Sequence, residues 1–251
     1  SVGEFLFSSQ WAPADNAQGG GKVGAAIFIF GSIITCALAL LISTPFSIAS
    51  AIFMTEISPG IGRKILQPAV EIFVGIPSVV YGWIGLTILV PFIKDLFDLK
   101  FGFSVLAAGI VLAVMIYPTI TSLSADAIRS IPKSFRQASY GLGATRWQTI
   151  SQVVIPASKS GLMTAIVLGL ARAFGEALAV AMVIGKMKAF PESLLSPTTN
   201  LTAAIASDMG GAMEGSEYNI ALWSMALLLF IISLIFIFII HYISAKGGHK
   251  A

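Results

Sequence analysis

The chain has 251 residues, of which 56% are hydrophobic and 11% charged, and its mean hydropathy is +0.89. Soluble domains carry roughly 25% charged residues to stay solvated, so this composition excludes a soluble globular domain, a disordered tail and a nucleic-acid binder. The net charge of +3 instead asks which face of a membrane holds the Lys and Arg.

Residues 1–21 are polar, aromatic-dotted and Gly-rich. They lack an initiator Met and a basic n-region, so they read as an external loop (1–22) rather than a signal peptide, in a chain trimmed after a removed segment. A bilayer core about 30 Å thick needs about 20 apolar residues as a helix. Uncharged stretches run over 23–55, 72–93, 101–125 and 218–240, and 160–185 is interrupted by Arg172 and Glu176 alone. These predict five spans in an all-α membrane helical bundle, with a transmembrane domain over 23–245. The first stretch predicts a span to Ser43 and a bend at Thr44-Pro45. A membrane barrel is excluded because its period-2 alternation is absent. Cys36 is the single cysteine, and His241 and His249 have no carboxylate near them, so neither a disulfide nor a metal site is expected.

Sidedness follows from the basic residues. If residue 1 is outside, Arg63, Lys64, Arg129, Lys133, Arg136, Arg146, Lys159, Lys246 and Lys250 are cytoplasmic. Lys22, Lys94, Lys100, Lys186 and Lys188 are external, among acids such as Asp15, Asp95, Asp208 and Glu217. The bias predicts an external start and a cytoplasmic tail, 246–251.

The longest internal segment, 124–159, reads as a helical hairpin. Pro132 suits a helix start, a helix follows over 134–140, and Gly141 and Gly143 punctuate it. Thr145 is an N-cap candidate for a helix over 146–154, ended by Pro156. Leu142, Trp147, Ile150 and Val154 form an apolar face that either packs on its own domain or docks a partner.

In the span at 160–185, Arg172 and Glu176 are four apart, on one face if the helix is continuous. Each costs about 2.5–3.5 kcal/mol in a bilayer centre on the gentlest scale. Gly161, Ala165, Gly169, Ala179 and Val183 share that face, and Met163, Val167, Leu170, Phe174, Leu178 and Met182 lie opposite. The pair reads either as a self-neutralising packing element or as an oxyanion checkpoint, in which the planar Arg fork binds and Glu176 compensates it when empty. Pro77 and Pro118 are candidate kinks, and Asn200-Leu201-Thr202 matches a glycosylation sequon.

Gln137-Ala138-Ser139, three residues, Gly143, nine residues and Val153-Val154-Ile155-Pro156 resemble the EAA loop of ABC-importer permeases, with Gln137 in place of the Glu. That resemblance implies that Gln137, Ala138, Ser139, Gly143 and Pro156 belong to a loop docking a cytoplasmic ATPase. The stretch from Leu168 to Val180 resembles the Arg-Ala-x-Gly-Glu segment of the Pst-type phosphate-import permeases, closer to the PstC than the PstA member, as does Ile76-Pro77-Ser78-Val79-Val80-Tyr81-Gly82. The family has six spans, and here the first is absent. The resemblance implies two ATPase subunits, a homologous second permease and a periplasmic or extracellular phosphate-binding protein, in a bacterial or archaeal cytoplasmic membrane. It assigns anion passage to Arg172 and Glu176. No nucleotide site is expected in the chain itself, because Gly19-Gly20-Gly21-Lys22 lacks the P-loop's first Gly and its Ser/Thr; no cofactor is expected either. The alternatives are a permease for sulfate, molybdate or phosphonate, or an ion-coupled secondary transporter.

Overall fold

The computed structural model describes residues 2–14 and 20–248, with side chains described as far as residue 243. Asp15, Gly19, His249, Lys250 and the Lys246 side chain, invoked above, lie outside the described residues.

Apolar composition over long uninterrupted runs leaves the backbone to satisfy itself, and helices result. Among the described residues, four helices are long and apolar enough to cross a membrane: Ala26–Ile57, Ser78–Leu96, Val105–Arg129 and Glu217–Ile243. A fifth span is reached only by joining Arg146–Ala157 to Lys159–Gly175, two helices that meet at 67°. The expected span over 160–185 is instead divided, with Lys159–Gly175 followed by a separate Leu178–Val183 helix.

Prolines shape these helices in different ways. The first stretch stays helical from Ala26 to Ile57, so Pro45 lies inside a helix rather than between two. Pro77 does divide the second stretch. Ile76 before it is extended at φ −69°, ψ 128°, as the ring of a following proline demands, and the helix restarts at Ser78. Three wide π-helical turns, Gly62–Leu66, Gly85–Leu89 and Ile150–Val154, each lead directly into a helix with proline in its first turn. A proline supplies no N–H and crowds the preceding turn; a π turn widens that turn and lets the helix continue. Pro156 accordingly lies inside the last turn of its helix, which closes one residue later at Ala157.

The chain forms two compact units, each discontinuous in sequence. The first comprises Ser1–Ala39, Pro77–Ala113 and Arg172–Leu234. Its core holds Phe28, Leu112, Ile184, Leu201 and Leu222, all fully buried. Its N-terminal part is more ordered than a loop: Val2–Phe7 is helical, and Trp11–Ala12 pairs antiparallel with Lys22–Val23. The Trp11 ring meets Phe28 edge-on at 4.7 Å. The Glu217 carboxylate holds this segment through the backbone N–H groups of Ala14 and Gly21, at 2.8 and 2.9 Å.

The second unit comprises Leu40–Ile76, Val114–Ala171 and Ile235–Ala251. Ala51, Ala125, Ile128, Val154 and Leu162 form its core. The small residues expected on one face of Lys159–Gly175 have a packing role here. A Cβ on Gly161 would lie 2.5 Å from Ala127, and one on Gly169 would lie 2.5 Å from Ile120. Both contacts are with Val105–Arg129, so these glycines admit a close helix approach. Glu217–Ile243, whose sequence is shared between the two units, carries exposed Trp223, Phe230 and Phe238.

Candidate functional site

Arg172 lies in the last turn of Lys159–Gly175 and is partly buried. A guanidinium there complements the negative end of the helix, and its charge acts on the phenol of Tyr81, a buried residue of Ser78–Ile84. Tyr81 is brought close by its neighbour Gly82. A Cβ at Gly82 would stand 2.8 Å from the Ala179 backbone and from the Met182 sulfur, so glycine allows Ser78–Ile84 to pack tightly on Leu178–Val183.

Glu176 does not share a continuous helical face with Arg172. The helix ends at Gly175, and the Glu176 carboxylate turns to accept the N–H of Ala179 at 3.1 Å. That bond satisfies one of the N–H groups that a helix start leaves open. The Glu176 carbonyl accepts the Thr202 hydroxyl at 2.8 Å, so the break is fixed by hydrogen bonds on both sides. Of the residues expected opposite the charges, Met163 before the break and Leu178 after it are exposed, whereas Phe174, in the last turn before the break, is buried. An acid after glycine and before a new apolar run is a helix-start signal, and it was present in the sequence. The Asn200 sequon is likewise a cap. Asn200 is buried and accepts the Ala203 N–H at 2.8 Å, so its amide is spent within the fold.

The hairpin is built almost wholly from local rules. Lys133–Gly141 starts after Pro132. It ends in a Schellman arrangement in which Ala144 N–H donates to the Ser139 carbonyl at 3.2 Å and Gly143 N–H to the Tyr140 carbonyl at 2.9 Å. Gly143 holds φ +83°, a conformation that costs other residues and not glycine. Thr145 and Gln148 form a reciprocal capping box at the start of Arg146–Thr149. The Ser139 and Thr149 hydroxyls, both buried, join the two arms at 2.9 Å.

The hairpin's apolar face divides between the two alternatives. Ile150 and Val154 are buried within the chain, whereas Leu142 is 90% exposed and Trp147 66% exposed. Gln137, Ala138, Gly143 and Pro156 are on the surface, and Ser139 is buried.

An anchor that sequence reasoning missed fixes this hairpin. Arg136 donates from Nε to both Glu56 carboxylate oxygens, at 3.1 and 3.2 Å, and from Nη2 at 2.5 Å. It also donates to the carbonyls of Ile131 and Ile128. Arg146 donates to the carbonyls of Glu56 and Ile57. Arg146 thus satisfies carbonyls at the C-terminal end of Ala26–Ile57, where a helix exposes unpaired carbonyls and negative potential, and Arg136 pairs with the Glu56 side chain of the same turn. The partners are 80 to 90 residues apart, and no local pattern marks them as neighbours.

Outside the apolar helices, Lys188 lies 2.7 Å from Asp208, and Tyr218 donates to the same carboxylate oxygen at 2.5 Å. Partial burial pulls the Lys188 ammonium down, but hydrogen bonds and charge from Asp208 and Tyr218 outweigh it, and its pKa is raised. Among the described residues no group of His, Cys, Asp and Glu could hold a metal ion.

The profile of the family described as binding-protein-dependent transport system inner membrane component matches residues 43–247. The chain belongs to that family. It is a multi-pass membrane protein with the helical fold of these permeases. It is 55% identical to the probable ABC transporter permease protein YqgH of Bacillus subtilis (strain 168), over 97% of this chain and 78% of that protein. It is 36% identical to the phosphate transport system permease protein PstC of Haemophilus influenzae, over 92% of this chain and 77% of that protein. Among solved structures, a chain of the inward-facing MetNI methionine ABC transporter matches with a TM-score of 0.62 at 21% identity, over 86% of this chain and 96% of that one. A chain of a bacterial alginate ABC transporter matches with a TM-score of 0.62 at 17% identity, over 87% and 77%. At those identities the likeness defines the shared fold, a permease-type helical bundle.

Proposed function

We propose that this chain is the membrane-spanning permease subunit of an ATP-driven importer of inorganic phosphate. The observation that carries the reading is its similarity to phosphate permeases along nearly the whole chain; Arg172, at a break between helices, suits an anion path. A binding protein delivers the anion outside, a homologous second permease completes the path, and two cytoplasmic ATPase subunits drive it. Residue 1 faces outward and the C-terminus lies in the cytoplasm, as the basic residues favour. The chain moves phosphate without breaking a bond and carries no ATPase site of its own.

Arg172 offers several N–H donors to phosphate oxygens in a site with little competing water. Tyr81, within reach of its charge, adds a neutral hydroxyl. Glu176 holds the break open through Ala179, and its negative charge limits how tightly the anion is trapped. The ATPase engages the exposed hairpin surface at Leu142 and Trp147, with Gln137, Ala138 and Ser139 in the first arm, Gly143 at the turn and Pro156 at the far end. Force on that surface passes through the two arginines into the end of Ala26–Ile57.

Uptake of radiolabelled phosphate by the reconstituted complex tests the reading. It should require ATP, persist when the proton gradient is collapsed, and be little affected by excess sulfate or molybdate. Equal competition by sulfate would assign another oxyanion, and uptake without ATP would assign an ion-coupled carrier.

A further inference from the structure

Beside the hairpin anchor lies a cavity of about 570 Å³ whose lining includes Arg63, Arg129, Lys133 and Arg136, with Glu56 as its one carboxylate. These charges are unevenly committed. Arg136 is spent on Glu56, and Arg129 reaches Asp126 at 3.4 Å across an exposed surface. Arg63 and Lys133 make no ion pair among the described residues and are exposed at the cavity rim. A concave surface with this excess of positive charge concentrates anions. Arginine forks match phosphate oxygens in geometry, and apolar walls such as Met54 would shelter an organic portion.

We propose that this cavity is a phosphate-group binding site, separate from the Arg172 region, in which Arg63 and Lys133 supply the uncommitted charge. The group is either the phosphodiester headgroup of an anionic lipid or free orthophosphate. Basic clusters at helix ends near a membrane surface bind anionic headgroups; free orthophosphate brings the same oxygens. The inference stands independently of the transport reading.

The test places the full chain in nanodiscs of phosphatidylcholine, with and without phosphatidylglycerol. Its unfolding midpoint is followed while inorganic phosphate is titrated against chloride at constant ionic strength. A shift with phosphatidylglycerol identifies the lipid, and a saturable shift with phosphate in neutral nanodiscs identifies the free anion. The paired substitution Arg63→Gln and Lys133→Gln should weaken the response on the order of tenfold or more. Arg63→Lys with Lys133→Arg should preserve it, which separates lost charge from lost folding, and the Gln pair should cause the same loss in a chain that already carries Arg172→Gln. No response in either arm, an undiminished response in the Gln pair, or a response lost only in Arg172→Gln would overturn the proposal.

Discussion

The hairpin around Gly143 and the break around Glu176 are both interruptions of helix, and they are held by different means. The hairpin is closed by a Schellman turn, a capping box and the Ser139–Thr149 bond, all between residues no more than ten apart. The break has one local bond, Ala179 N–H to Glu176, and otherwise owes its shape to Thr202 and to the packing that Gly82 permits, which are distant in sequence. A hairpin whose internal shape is set by its own residues and whose seat is fixed at Glu56 can present a constant surface to a partner. A break specified by its surroundings responds when those surroundings move, as a gated path requires.

Perturbations that weaken one region and spare the other sharpen this contrast. The largest stability effect is expected at the hairpin anchor, where Glu56 has 9% of its side chain exposed. Arg136→Met leaves that carboxylate buried without its partner and should cost about 3–5 kcal/mol, read as a lower unfolding midpoint of the solubilised protein. Replacing Glu56 as well, by Met, should recover much of the loss. A smaller effect is expected inside the hairpin: Ser139→Ala leaves the buried Thr149 hydroxyl without its partner, at about 1–3 kcal/mol. A double-mutant cycle with Thr149→Val measures the bond itself, and a coupling near zero would mean that the arms are joined by packing alone.

The smallest effect concerns the first unit, at Lys188. Its folded pKa lies above its ordinary value, so the bridge to Asp208 contributes fully below the ordinary value near 10.5 and is lost as pH rises through the raised one. The midpoint should therefore be insensitive to this group across neutral pH and fall above about pH 10. Lys188→Met should flatten that alkaline fall, and an unchanged profile would show that the bridge contributes nothing.

These contrasts also explain what the sequence made legible. Apolar runs located the long helices because the bilayer leaves backbone groups no other partner. The hairpin was readable at Pro132, Gly143 and Thr145, where residue chemistry acts within one turn. Pro45 sits inside a continuous helix and Pro156 one residue before the end of its own, because a helix that is packed or widened by a π turn tolerates a missing N–H. Arg172 was found by its cost in an apolar run. The end of its helix was missed because the four-residue spacing to Glu176 was read before the Gly175-Glu176 start signal. The Arg136–Glu56 pair was beyond reach, since nothing local brings residues 80 positions apart together.

The central claim is that anion passage and ATPase engagement belong to different regions of this chain. Its most direct test measures phosphate uptake and ATPase co-purification on the same preparations of Arg172→Gln and Gly143→Asp. Arg172→Gln should retain the ATPase and lose uptake by two orders of magnitude or more, because a neutral amide cannot replace a charged fork in an apolar site. Gly143→Asp, strained at φ +83°, should lose both. Normal uptake in Arg172→Gln, or full ATPase retention in Gly143→Asp, would contradict the account.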